Sequence, residues 1–187
     1  MRPSINELRA LTDFCPNYRW DMNASLPANV AQAIQSTDLN LRCTSFTIPK
    51  RTVDPIEIAN RGHKIYREGI TSFSQQIALS TLGTIDAYIH KAVRNWHMMQ
   101  WSDDGQTVNG RMSSNNPGDR QGMFTLTALN NTDQSYWQYL VYGVWLQDSD
   151  FGEYGSDSSD ILRPSLTFNY DFFIDGPVTG TEANTTA

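Results

Sequence analysis

Long apolar runs are missing from this chain of 187 residues. No segment approaches the roughly twenty apolar residues that a membrane-spanning helix requires. The opening MRPSINELRALTDFCP lacks a seven-residue apolar core, so it does not read as a secretory signal. Cysteine is scarce: Cys15 and Cys43 are widely spaced and belong to no metal motif. Reduced thiols are the expectation, which fits assembly in the cytosol. Cys43 continues the set Leu39, Leu41, Cys43 and is expected to pack as a small buried hydrophobe. Concentrated basic charge is absent too. Residues 61–97 carry five basic and two acidic side chains, whereas 148–187 carry one basic and eight acidic. The basic part is too dilute to track phosphates, and the net charge of −6 opposes tight nucleic-acid binding.

Catalytic signatures are equally missing. There is no G-x-S-x-G, no Walker motif and no G-x-G-x-x-G following a strand. His90 and His97 lie two helical turns apart, about 10 Å along the axis, too far to share one metal ion. Asp103 and Asp104 form a carboxylate pair suited to acid–base work, but in a loop without a shaped pocket. Asp148, Asp150, Glu153, Asp157 and Asp160 offer hard oxygen ligands, yet they do not follow the EF-hand register. A solvated turn between strands is the simpler reading of that loop, and a non-standard calcium loop is its alternative. No residue constellation supports an enzyme, and no cofactor is implied.

What is present is alternation. Between Ser135 and Phe173 two aromatic strands flank the acidic loop. In the second, Leu166, Phe168, Tyr170 and Phe172 fall on one face and Ser165, Thr167, Asn169 and Asp171 on the other. That period of two marks a strand with one buried and one wet face. The first strand, 136–146, is blurred. Tyr139, Val141 and Trp145 share one face, while Leu140, Tyr142, Val144 and Leu146 share the other. A strand apolar on both sides needs a second layer of its own protein or a neighbouring subunit.

Elsewhere the pattern is rich in strands and interrupted once. Residues 1–16 are expected to form an amphipathic N-terminal arm, with Ile5, Leu8 and Leu11 on one helical face. Strands are expected at Tyr18–Ala24, at Leu39–Ile48 with a bulge near Ser45, and at Arg51–Ala59 after Pro49. Asn60-Arg61-Gly62 reads as a turn into Lys64–Glu68, and Ile70–Ser80 and Met123–Asn130 read as further strands. A helix over about 84–101 follows from Ile85, Tyr88, Ile89, Ala92, Val93, Trp96 and Met99 at helical spacing, with Thr84 as its N-cap. The loop 102–122 is almost free of large apolar groups, so it is functional or ordered by a partner. Residues 174–187 are a polar tail. The chain therefore reads as a single mainly-β domain, a β-sandwich or small barrel over 17–173 with one flanking helix.

This order resembles the tail tube proteins of contractile-tailed bacteriophages. The likeness rests on Tyr142-Gly-Val-Trp145, the loop rich in Asp, Ser and Gly, and Asp160–Phe173. It also rests on Leu41–Pro49, a strand ending in Ile-Pro before a long hairpin, and on Ile70–Ser80 leading into the helix. The resemblance covers about residues 15–173. It implies hexameric rings of this chain, stacked head to tail into an inner tube that conducts DNA during ejection. DNA would pass through the lumen without specific binding.

The implied partners are further copies of the chain, the tail sheath, the baseplate and the tail terminator. The implied location is the virion tail, assembled in the host cytoplasm. The hairpin around Ile48–Ala59 would reach the adjacent ring. Val53, Ile56 and Ile58 would make its apolar contacts beside Ile48 and Pro49, and Lys50, Arg51, Asp54 and Glu57 its charge complements. The loop residues Asp103, Asp104, Arg111, Asp119 and Arg120 would meet neighbouring subunits or other partners. Two other readings stay open at this level. One is a ring-forming tube protein of a type VI-like injection system. The other is a calcium-dependent carbohydrate-binding β-sandwich, suggested by the aromatics and the 148–160 loop.

Overall fold

The structure, a computed structural model, describes residues 15–32, 34–99, 121–155 and 160–178. The expected arm up to residue 14, the loop from 101 to 120, residue Asp157 and the tail from 179 lie outside the described residues. The elements in chain order are β1 (Trp20–Ser25), α1 (Ala28–Ala31), α2 (Ser36–Arg42), β2 (Cys43–Phe46), β3 (Arg51–Asn60) and β4 (His63–Phe73). Then follow β5 (Gln76–Thr81), α3 (Tyr88–Met98), β6 (Gly122–Leu129), β7 (Ser135–Asp150), β8 (Ser165–Asn169) and β9 (Phe172–Pro177). The fold is mainly β, with every strand pair among the described residues antiparallel.

Strand β7 organises the body. Its first half pairs with β6 on one side and β9 on the other, and β6 pairs onward with β1. Its second half pairs with β8, which leads through β5 to β2. One long strand thus belongs to two sheets and turns the corner between them. The turn is made at Gly143, whose φ of +69° is cheap only for glycine. Opposite it the β6–β7 register slips, so that Gly122 faces Val144 while Met123 faces Tyr142. This bulge resolves the blurred alternation of 136–146. The extra residue shifts the phase, and Val141, Val144 and Leu146 all become buried, with Tyr139 packed against them. Leu140, Tyr142 and Trp145 are left half-covered.

The two sheets curl over one core. Phe124 of β6 meets Phe168 of β8 edge-to-face at 5.0 Å and Phe46 of β2 at 6.3 Å. Trp96 of α3 closes over Phe168 at 5.3 Å. Burying a side chain such as Phe168 stabilises the fold by about 2–3 kcal/mol. The helix presents Tyr88, Ile89, Ala92, Val93 and Trp96 to this core, followed by Met99, which is the face its period selects.

Five local expectations are corrected. Residues 174–177, expected in the polar tail, complete β9 against β7. Residues Leu39–Arg42 form the end of α2, not a strand, and strand pairing starts only at Cys43. Leu39 is buried while Leu41 points outward, so the spacing of Leu39, Leu41 and Cys43 was coincidental; the register slip at Ser45 is observed. The segment Ile70–Ser80 is two strands. Gln75, at φ +54°, turns the chain from β4 into β5.

Helix α3 begins at Tyr88, not Thr84, and Ala87 in a left-handed conformation precedes it. Thr84 and Asp86 bind the Arg42 guanidinium instead, which leaves Ile85 exposed. Finally, the in–out pattern of 165–172 breaks at Asp171. Leu166, Phe168 and Tyr170 are buried, Phe172 is exposed, and Phe173 takes the inward place. The break lies beside the Gly143 bulge, where the Asp171 N–H donates to the Tyr142 carbonyl at 3.0 Å. A Cβ on residue 143 would run into the Asp171 carboxyl.

Candidate functional site

Strands β3 and β4 form a two-stranded ribbon that pairs with no other strand among the described residues. At its tip Arg61 (φ +48°) and Gly62 (φ +84°) make the two-residue turn whose twist suits a hairpin. Nearly every residue is exposed, although ten- and eleven-residue strands rich in isoleucine ordinarily have a covered face. Cross-strand pairing puts Ile58 opposite Ile65, next to the Ile56–Arg67 pair. These three isoleucines therefore share one side of the ribbon, because cross-strand partners point the same way. The other side carries Glu57, which accepts the Tyr66 hydroxyl at 3.2 Å and pairs with Lys64 at 2.7 Å. Both members of that ion pair are exposed, so it orders the ribbon more than it stabilises it.

The ribbon is anchored at its base. Phe73 packs edge-on against Phe173 of β9, with ring centroids 5.5 Å apart. The Arg51 guanidinium lies over both rings and pairs with Asp175 at 3.1 Å. The Ser74 N–H donates to the Lys50 carbonyl, and the hydroxyls of Ser74 and Tyr170 share a hydrogen bond at 2.9 Å. Between Val53 and Pro55 the ladder slips, and Gly69 sits so close to the Asp54 carbonyl that no side chain fits there.

The sequence-derived residues therefore divide. Ile56 and Ile58 share the apolar side. Val53 lies beyond the slip nearer the base, and Asp54 lies at the slip itself. Ile48 is exposed and Pro49 is buried just before the ribbon, and Lys50 is exposed. Arg51 and Glu57 are already engaged within the chain. Residues Asp103, Asp104, Arg111, Asp119 and Arg120 lie outside the described residues. Sequence reasoning missed Ile65 and Tyr66, exposed members of the second ribbon strand.

A second surface is the edge strand β9. Among the described residues its one strand partner is β7. Phe172 and Ile174 are exposed on it, and the Phe172 ring stacks on Tyr142 at 4.9 Å. An unpaired edge carrying apolar side chains is a template for another strand. The alternation of the sequence held the signal for Ile174, but the shift at Asp171 hid it.

The groups whose protonation is shifted lie away from the ribbon. The bidentate Arg42–Asp86 pair, at 2.9 and 3.0 Å, holds the Asp86 carboxyl well below the usual range, aided by the Thr84 hydroxyl. The same guanidinium lies 4.3 Å from the Tyr88 ring centroid, tying α2 to the start of α3. Burial pushes the Cys43 thiol up to about 12. The exposed Cys15 thiol shares a short hydrogen bond with the Tyr136 hydroxyl, which raises Tyr136 to about 12.

In the acidic loop, Asp148 accepts the Ser149 N–H and Asp150 accepts the Gly152 N–H, each at 2.8 Å. These carboxylates cap turns. Among the described residues no three His, Cys, Asp or Glu side chains converge to hold a metal ion, and no helix is long and apolar enough to cross a membrane.

No protein-family model matches the sequence, and no curated protein matches it. Solved structures do match in fold. A chain from the sheath–tube complex of an extracellular contractile injection system, in its extended state, aligns with 15% identity and a TM-score of 0.58. The alignment covers 95% of this chain and 100% of that one. A chain from the baseplate of the anti-feeding prophage aligns at 11% identity and TM-score 0.60, over 90% of this chain and 99% of that one. A chain from that prophage's tube-terminating cap aligns at 13% identity and TM-score 0.58, over 90% and 94%. The body built around the bent strand β7, with its projecting ribbon, is the tail-tube fold.

Proposed function

We propose that this chain is a structural tube subunit that forms hexameric rings, which stack head to tail into the inner tube of a contractile tail. The observation that carries the reading is the β3–β4 ribbon. Its isoleucine side is exposed along most of its length, and leaving such a surface in water is unfavourable unless another molecule covers it. The open β9 edge supports lateral closure of rings, since a closed barrel leaves no edge. A head-to-tail contact then leaves each ring with one unused surface at either end, so the stack needs an external length control. In this reading the sheath, the baseplate and a terminator bind the outside and the ends, as the neighbouring structures' own assemblies suggest. The location is the particle's tail, assembled in the host cytoplasm. The residues of the 102–122 loop would meet those partners or adjacent subunits.

DNA would pass through a lumen that does not grip phosphates, as a net-negative chain allows. A second reading, a tube of an injection system that delivers a payload other than DNA, is favoured by the origin of the matched structures in such systems. Electron microscopy of the purified chain tests the shared claim: rings or tubes are expected, and a strictly monomeric species at high concentration would sink it. Nuclease-protected DNA inside tails from the native source separates the two readings.

A further inference from the structure

The two ends of the β5–β8–β7 sheet differ in charge and in what leaves them. At one end Gln76, Asn169 and Trp145 lie abreast, and the β3–β4 ribbon departs there through Ser74 and Gln75. At the other end Ser80, Ser165 and Asp150 lie abreast, and the β7–β8 connection departs there. About 14 Å of strand separates the two exits. The ribbon and the connection therefore leave from opposite ends of one sheet, and a repeat along that direction brings one against the other's copy.

Their surfaces are complementary. Residues 50–73 carry five basic and three acidic side chains, against a chain whose net charge is −6. Arg61 and Arg67 have no carboxylate partner among the described residues. The end of β7 carries Asp148 and Asp150, and the connection beyond it carries Glu153 and Asp160, with Arg163 as its one described cation. Within it Tyr154 is 85% exposed and Ile161 62% exposed, which gives the ribbon's isoleucines an apolar counterpart.

We propose that the β3–β4 ribbon of one subunit docks on the surface carrying Asp150, Glu153, Tyr154 and Ile161, at the β7–β8 end of the sheet, in a second copy in the next ring. This rests on the tube reading and adds its receiving surface. Charge steers the approach and sets polarity, and the isoleucines with Tyr154 and Ile161 exclude water at the contact. The contact is heterologous, so it propagates without closing.

Charge reversal tests it. One variant carries Arg61→Asp with Arg67→Glu, and the other Asp150→Lys with Glu153→Lys. Each alone should keep rings and lose at least tenfold in tube length, because like charges then meet at every ring junction. Rings of the two variants, formed separately and then mixed, should stack again in alternation, since each junction regains opposite charges. Tubes of normal length from both single variants, or rings that fail to stack on mixing, would overturn the docking while leaving the tube reading intact. Failure of the unmodified chain to form rings would overturn both. Should a reversal variant lose its cooperative melt, the milder Arg61→Gln with Arg67→Gln replaces it. Wild-type stacking should then weaken from 0.1 to 1 M salt, as screening shortens from about 10 to 3 Å. The Gln variant should be less salt-sensitive, and equal salt dependence of the two counts against the proposal.

Discussion

The β3–β4 ribbon and the β7–β8 pair are built from the same material and end in opposite places. Both hold a strand that alternates apolar with polar residues, β3 in one and β8 in the other, and both are antiparallel. In β7–β8 the apolar face meets a second sheet and a helix, so Leu146 and Phe168 are almost completely buried. On the ribbon no layer arrives from the described residues, and Ile56 stays half in water at 52% exposure. A period of two shows that a strand has two unlike faces. It does not show whether the covering layer belongs to the same chain.

The comparison breaks first at Phe168. Phe168→Asp puts an unpaired charge among Phe124, Trp96 and Leu146, and a loss of more than about 4 kcal/mol is expected. Purified protein should lack a cooperative melt, and a soluble variant with a sharp melt would mean the core face was misassigned.

Next is the bend that lets β7 serve two sheets. Gly143→Val must hold a left-handed φ and displace Asp171, at an expected cost of about 2–4 kcal/mol. Denaturant unfolding measures it, and an unchanged midpoint would show that the bulge tolerates side chains.

The ribbon should behave oppositely. Ile56→Asp is expected to move stability by less than about 0.5 kcal/mol while abolishing ring stacking. Normal-length tubes from that variant would refute the ribbon's role, and a lost melt would show that it is part of the body's core.

The smallest effect sharpens the body's side of the comparison. Asp86 is held below the ordinary carboxylate value by Arg42, so its contribution is present above about pH 4 and is lost as acid protonates the folded form. Asp86→Asn should be less stable than wild type at pH 7 and converge with it toward pH 2 in melts across a pH series. Parallel curves down to pH 2 would remove the clamp from the account.

Much of the ribbon could be read along the chain because its signals are local. The Asn60-Arg61-Gly62 turn, the break at Pro49 and the apolar Ile56 and Ile58 all lie within ten to fifteen residues. Its second strand was harder. Ile65 matters because it lies opposite Ile58, and Gly69 interrupts the sequence pattern that follows it. The receiving connection showed its acidity plainly. That it stands at the far end of the sheet from the ribbon depends on β5, β8 and β7, drawn from Gln76 to Asn169 of the chain, lying side by side.

By itself the sequence determined the mainly-β class, the apolar face of α3, the inward set Leu166, Phe168 and Tyr170, and the hairpin turn. Each follows from the spacing of side chains along a few residues of backbone. The tertiary structure alone decided that Leu39–Arg42 coil into a helix against β1, that Gly143 shifts the phase of β7, and that Phe173 replaces Phe172 in the core. Those outcomes turn on which strand or helix lies alongside. A bulge is a mismatch between two partners, and neither partner's sequence carries it alone.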